Sequence, residues 1–406
     1  MTESFPGHIP VRQALELVRQ AAAARRGEAG QGPTRQADGR VLAADIAAPI
    51  PLPPFANSAM DGFAFRHADL ARAGEAGLEL AGAQYAGRDL GLHLRPGQCA
   101  RVATGAPLPA GADTVVPREH AQERAGRVRL PADAAPGAFV RHAGEDVRAG
   151  EVVLHAGQVL PPARIGLCMA LGLDRLPVFP RPTVAVLTGG DELVEPGLPL
   201  APGQGYDSNR GLLMAQLRAL GLEPVAWPAM PDDPALLDSL LRDATASFDV
   251  VLACGGVSAG DRDFLPGWLA AHGRVHFWRV RLRPGMPGLF GQAGRALVLG
   301  LPGNPVSVLA SFTVLGRPLL DALQGRTEPR PRWRARLAAP WRKRHDRAEF
   351  LRGRLEVDDG ATLRVHPDPA EGSHRLRAAA AADVLIALEE GAREYAAGEL
   401  VDVLPL

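Results

Sequence analysis

Residues 249–254 hold Val250, Val251, Leu252, Ala253 and Cys254 in an apolar run too short for a helix and bounded by Gly255 and Gly256, which predicts a buried strand. Similar runs at 183–187, 224–227, 275–282 and 296–301 alternate with stretches of helical spacing at 209–221, at 230–241 and from Pro305 onward. Alternation of this kind over residues 183–320 predicts an α/β unit, a parallel sheet with helices on both faces. Asp233 followed by Pro234 predicts a helix start, and Asn304 followed by Pro305 another, whose free amides at Val306 and Ser307 suit an oxyanion.

Outside that unit the pattern changes. Val11, Leu15, Leu17 and Val18 predict an amphipathic helix over 10–24, followed by a Gly/Arg-rich connector to residue 39 and a strand over 41–50. Three prolines in 51–54 force an extended approach to a polar turn carrying Asn57, Ser58, Asp61 and Gly62. Residues 75–145 are rich in Gly and Pro with short apolar runs, the pattern of a small all-β domain, and 147–176 read as a linker strand and helix. Short alternating runs over 330–406 predict a further β domain.

At 406 residues, 46% of them hydrophobic, the chain has material for about three domains. Lys plus Arg equals Asp plus Glu at 45 each, so no overall field favours nucleic acid or an anionic membrane. Cys99, Cys168 and Cys254 are too scattered for a disulfide framework or a metal pair, and the eleven histidines show no ligand spacing. The amino-terminal residues lack a basic region followed by an apolar core, and no stretch reads as a membrane span, so the expectation is a soluble, cytoplasmic protein.

Candidate chemistry gathers where strands end. Ligands of an open α/β sheet bind beyond the carboxyl ends of its strands. The loops leaving those ends carry Glu192, Asp232, Ser258, Asp263, Pro302 and Asn304, which should therefore line one rim. Gly255 and Gly256 let the backbone turn and present amides to an anion, and the acids that follow suit a divalent cation bridging to phosphate. No G-x-x-x-x-G-K-[ST] is present, which excludes the usual P-loop.

The stretches PPFANSAMDGFA, ATGAPLPAGADTVVP, GEDV, TGGDEL, YDSNR, DDP, CGGVSAGDRDF, RPGMP and GLPGNPVS stand in the order and spacing of the molybdopterin molybdenumtransferases. From about residue 9 to 406 the chain resembles that family, the MoeA type, similar also to the E domain of gephyrin. The resemblance implies a multidomain α/β plus β fold: a linker domain (26–49 and 147–176), a small β domain (50–146), a MoaB/MogA-like α/β molybdopterin-binding domain (9–25 and 177–328) and a C-terminal β-barrel-like domain (329–406). It implies a molybdenum insertase that takes adenylylated molybdopterin and molybdate as substrates, uses Mg2+, releases AMP and works as a homodimer with its site shared between subunits. The molybdopterin adenylyltransferase and molybdoenzyme apoproteins are the implied partners.

Carried over by motif, the catalytic residues are Asp61, Thr104, Asp146, Glu192, Asp232 and Asp263, with Glu192, Asp232 and Asp263 also on the metal. Substrate binding falls to Gly255, Gly256, Ser258, Arg283, Pro302, Gly303, Asn304, Pro305 and Ser307. The family usually has Asp where Ala56 stands, often Tyr at Phe63, one more hydroxyl in the Thr188–Gly190 turn, and K-P-G-K-P where this chain has Arg283, Pro284, Gly285, Met286 and Pro287. Methionine cannot bind an oxyanion. Another cation, from Arg347, Arg352 or Arg375, is then required, or molybdate is held more weakly. Two alternatives follow: a catalytically weakened dimeric scaffold or binding protein of the same fold, favoured by Met286 and opposed by the retained acids, and an adenylylating enzyme of the same pathway, opposed by the surrounding domains.

Overall fold

The computed structural model describes residues 7–258, 264–370 and 372–406. A strand covered on both faces must be apolar at every position. Val184, Val186, Val250, Leu252, Leu297 and Leu299 face one core, and their neighbours Ala185, Leu187, Val251, Ala253 and Val298 face another. These strands lie in a seven-stranded sheet in the order Gly7–Ile9, Gly273–Val280, Leu289–Ala293, Ala296–Leu301, Val250–Cys254, Val184–Thr188, Val225–Ala226. Helices Val11–Ala23 and Ser208–Ala219 and the helix that begins at Pro305 cover the first face; Pro234–Ser247 and Leu265–His272 cover the second.

The sheet is not parallel throughout. Leu289–Ala293 runs antiparallel to both neighbours. Only Gly294 and Arg295 separate it from the next strand, too few residues for a crossover. The expectation about membrane-length segments is also corrected: Pro305–Leu323 is long and apolar enough by length and composition to span, but 78% of its apolar window is buried in the fold, as a central core helix requires.

The six-stranded sheet of the small β unit packs around Phe63, Phe65, Leu78, Cys99, Val116 and Val128. Beside it, Gly30–Pro33 pairs with Arg175–Val178 around Leu42, Leu160, Cys168 and Leu176. Residues 41–50 do not form the expected single strand, because successive residues pair with different segments: Val41 with Val159, Leu42 with Val178, and Ile46–Ala47 with Val152–Leu154. In the C-terminal unit, Ala348–Val357, Leu363–Pro367, Trp333–Leu337, Leu400–Pro405 and Val384–Leu388 close into a barrel. Ala348, Phe350 and Leu385 of that barrel join the first core of the large sheet. Leu282 and Arg283 pair in parallel with Ala348 and Glu349, stitching the RPGMP loop to the barrel.

Candidate functional site

Strand Val250–Cys254 ends in Gly255 (φ 90°) and Gly256 (φ 67°), left-handed backbone in which a Cβ would crowd the carbonyl. The turn opens a cavity of about 580 Å³ lined by Glu192, Asp232, Gly255, Gly256, Ser258, Pro302, Gly303 and Asn304. Loops from four strands therefore meet where the topology expects them. Asp263 lies outside the described residues. Among the described residues no group of three or more His, Cys, Asp or Glu side chains is gathered for a metal ion.

Buried polar contacts fix this rim. Thr188 at the end of its strand donates its hydroxyl to Asp207 (2.5 Å) and accepts from Arg210 (3.0 Å), whose amide is capped by the other Asp207 oxygen (3.0 Å). One residue before Arg210, the Asn209 amide donates to the carbonyl of Gly303 (2.7 Å) and so ties the Pro302–Asn304 turn to helix Ser208–Ala219. Gly189 leaves room for Met230, whose Cε would stand 2.8 Å from a Cβ there. Asp233 caps its helix through the amides of Ala235 (2.8 Å) and Leu236 (3.1 Å), which leaves Asp232 on the cavity wall.

A second cavity, about 440 Å³, opens at the seam with the barrel. It shares Pro287, Pro302 and Asn304 with the first. Arg283, Met286, Ser307, Arg347, Glu349, Arg352, Asp368 and Ser373 line it. Parallel pairing of Leu282–Arg283 with Ala348–Glu349 places Arg283 beside a buried carboxylate, its Nε 3.6 Å from Glu349 Oε1.

Several expectations about this end of the long helix change. The Val306 amide is taken by the Ser373 carbonyl (3.0 Å), so it is not free for an oxyanion; the Ser307 side chain does reach the cavity. Asn304 holds the N-cap position without a side-chain cap bond and faces both cavities instead. Pro305 starts the helix and lines neither. Of the candidate replacement cations, Arg352 donates to the carbonyls of Ala370 and Gly372 and pairs with Asp368, and Arg375 lines a different cavity, formed by barrel residues and the short helix Leu376–Ala380. Arg347 remains on the wall.

Asp61, Thr104 and Asp146 line neither cavity, and Asp61 and Thr104 stand together in the small β unit. Asp61 accepts from the Thr104 amide (2.7 Å) and hydroxyl (2.9 Å), which hold its carboxyl below the usual carboxylate range. Backbone bonds from Gly105 to Ser58 and from Asp146 to Leu52 tie the two later motifs to the segment that carries Asp61. All three cysteines are buried, and burial pushes the Cys254 thiol well up, so the strand end supplies no thiolate.

Glu349, Ser373 and Trp341 were not visible as site residues in the sequence. Glu349 lies on a barrel strand, Trp341 on a short hairpin strand beside it and Ser373 in a turn, and only the pairing of Leu282–Arg283 with Ala348–Glu349 and the Val306–Ser373 backbone bond bring this side of the seam to the α/β unit.

Three family profiles match in series: the MoeA N-terminal region (domain I and II) over residues 9–172, a "Probable molybdopterin binding domain" over 185–322, and the MoeA C-terminal region (domain IV) over 334–406. Molybdopterin molybdenumtransferase 2 of Mycobacterium tuberculosis is 40% identical over 385 residues, 92% of this chain and 94% of that one. The molybdopterin molybdenumtransferase of Haemophilus influenzae is 35% identical over 374 residues, 91% and 92% of the two chains. A crystal structure of the MoeA molybdopterin biosynthesis protein of Pyrococcus horikoshii superposes with a TM-score of 0.81 at 27% identity, covering 98% of this chain and all of that one (100%).

Proposed function

The chain belongs to the MoeA family of molybdopterin molybdenumtransferases, and from that premise we propose that it takes adenylylated molybdopterin and molybdate, inserts the molybdenum and releases AMP. The observation that carries the reading is the shared wall of the two cavities. Pro287, Pro302 and Asn304 belong to both, so a group bound at the glycine turn and an oxyanion bound at the seam would be neighbours.

At the first cavity the Gly255–Gly256 turn offers backbone to a phosphoanhydride, with Ser258 and Asn304 as hydrogen-bonding side chains. Glu192 and Asp232 offer the hard oxygen donors that magnesium takes, with Asp263 the third acid by sequence. When bound, that ion neutralises charge on the phosphates. At the second cavity Arg283, Arg347 and Arg352 outnumber Glu349 and Asp368, and the hydroxyls of Ser307 and Ser373 complete a lining suited to a tetrahedral dianion.

The homodimer is part of the same proposal. Asp61, Thr104 and Asp146 line neither cavity of their own chain, and Phe55, Met60 and Phe139 leave 45, 39 and 44% of their surface exposed in the same unit. A second copy covering those side chains would bring the three residues to its partner's mouth. Molybdoenzyme apoproteins and the adenylyltransferase remain the proposed partners, and the cytoplasm the proposed location.

Incubation with adenylylated molybdopterin, magnesium and graded molybdate tests the reading. AMP release should rise with molybdate and saturate. No AMP at any molybdate concentration would overturn it in favour of the scaffold suggested by Met286.

A further inference from the structure

The seam cavity contains a group that an anion site does not need. Glu349 is 3% exposed and forms part of the wall. Its Oε1 stands 3.6 Å from Arg283 Nε and 3.1 Å from His345 Nε2, and Oε2 accepts from the Trp341 indole at 3.3 Å. An ionised carboxylate against a bound oxyanion is repulsive unless a proton lies between them. His345 is itself largely buried, its Nδ1 has no hydrogen-bond partner, and its Nε2 contact with Glu349 is off the line of a good hydrogen bond. Carboxyl and imidazole thus form a pair able to hold and pass a proton at the wall of the cavity.

We propose that Glu349, with His345 behind it, is a catalytic proton carrier of the molybdenum insertion step. The inference rests on the reading of the seam cavity as the oxyanion site. Insertion of molybdate into a dithiol breaks two S–H bonds and one Mo–O bond and forms two Mo–S bonds. The two thiol protons leave on the departing oxygen as water, the dianionic charge is kept, and molybdenum stays in the same oxidation state. Those protons must travel from sulfur to oxygen inside a cavity whose other charged wall groups are three arginines and one aspartate, Arg283, Arg347, Arg352 and Asp368. Glu349 supplies the acceptor and then the donor, within reach of an anion held by Arg283 and Arg347. The groups facing it are Arg283 from the RPGMP loop, His345 and Arg347 from its own segment, Lys343 from the preceding strand, and Arg352 and Asp368 farther round the same wall.

The test compares the full-length protein with Glu349→Gln, Glu349→Asp and His345→Gln. Molybdenum bound to pterin is measured at saturating molybdate across the neutral pH range, and tungstate affinity is measured by calorimetry. Glu349→Gln should keep tungstate affinity within a few-fold, lower kcat by about 10²-fold or more, and lose one limb of the pH profile. Glu349→Asp should recover part of the rate, and His345→Gln should displace the same limb. A merely structural partner of Arg283 gives the opposite split: tungstate binding and KM suffer together while kcat and the pH profile stay. That result overturns the proposal, as does a wild-type rate and profile in Glu349→Gln. If Glu349→Gln does not fold, Glu349→Asp and His345→Gln decide by the same pH limb. A wild-type protein without molybdate-dependent turnover would overturn the functional reading instead, which separates the two failures.

Discussion

Replacing Met286 by lysine adds a positive charge to the wall of the seam cavity, where the proposed function holds the oxyanion. Met286 lines the seam cavity beside Arg283 and is half-buried, so a lysine of similar length reaches the same space without displacing the core. The present cations are partly committed: Arg352 to the carbonyls of Ala370 and Gly372, and Arg283 to Glu349. At about 5 Å and an effective dielectric constant of about 20, one added charge attracts each unit of anion charge by about 3 kcal/mol. Solvent in an open cavity and mobile salt reduce the net gain to about 1–2 kcal/mol, a 5- to 30-fold drop in the molybdate concentration for half-maximal AMP release. The assay is AMP release against molybdate for wild type, Met286→Lys and Met286→Gln, at low and high salt. Met286→Lys alone should shift the half-saturation point, and the shift should shrink with salt. An unchanged requirement, or an equal shift in Met286→Gln, would refute the assignment of this wall to the anion.

Gly190 (φ 129°) is so close to Glu192 that a Cβ would run into its carboxyl group. Gly190→Ala should cost about 1–2 kcal/mol of stability and cut turnover by about 10-fold or more, checked by thermal unfolding beside steady-state rates. Thr104→Val removes the hydroxyl that helps hold Asp61 ionised, so the Asp61 pKa rises and the acidic limb of the activity profile should move to higher pH; an unmoved limb would detach Asp61 from the reaction. Glu328 is drawn from 4.5 to about 2, first by its paired bonds to Arg164 (2.8 Å each) and then by the Val159 amide, tying the linker helix to the segment after the long helix. A depressed carboxyl pKa contributes stability that is present above the unfolded value and lost as pH falls from about 4.5 through about 2. The full shift corresponds to about 3 kcal/mol, which partial exposure reduces to about 1–2 kcal/mol. In a double-mutant cycle with Arg164→Met, Glu328→Gln should show that coupling at neutral pH and little of it at pH 2 or below.

Much of the α/β unit could be read from the sequence because its strands are apolar at every position and its loops carry the polar residues. The rule that ligands sit beyond strand carboxyl ends then placed Glu192, Asp232, Ser258, Pro302 and Asn304 together, and all five line one cavity. The antiparallel Leu289–Ala293 was missed because its apolar pattern is the same in either direction and only the short link to Ala296 decides. The seam cavity was hidden for a different reason. It depends on Leu282–Arg283 pairing with Ala348–Glu349 and on Ser373 taking the Val306 amide, contacts between segments far apart in the chain that leave no periodic trace. Arg352 and Arg375 looked equivalent as cations in the sequence, yet one lines the seam cavity and the other a different cavity.

Co-crystallisation with AMP, magnesium and tungstate, located by tungsten anomalous scattering, bears most directly on the shared mouth. The tungsten peak should fall at the seam between Arg283, Arg347 and Ser373, and the AMP phosphate at the Gly255–Ser258 turn, with Asn304 touching both. Tungsten on any surface that Asn304 does not reach, or a nucleotide away from Glu192 and Asp232, would contradict the account.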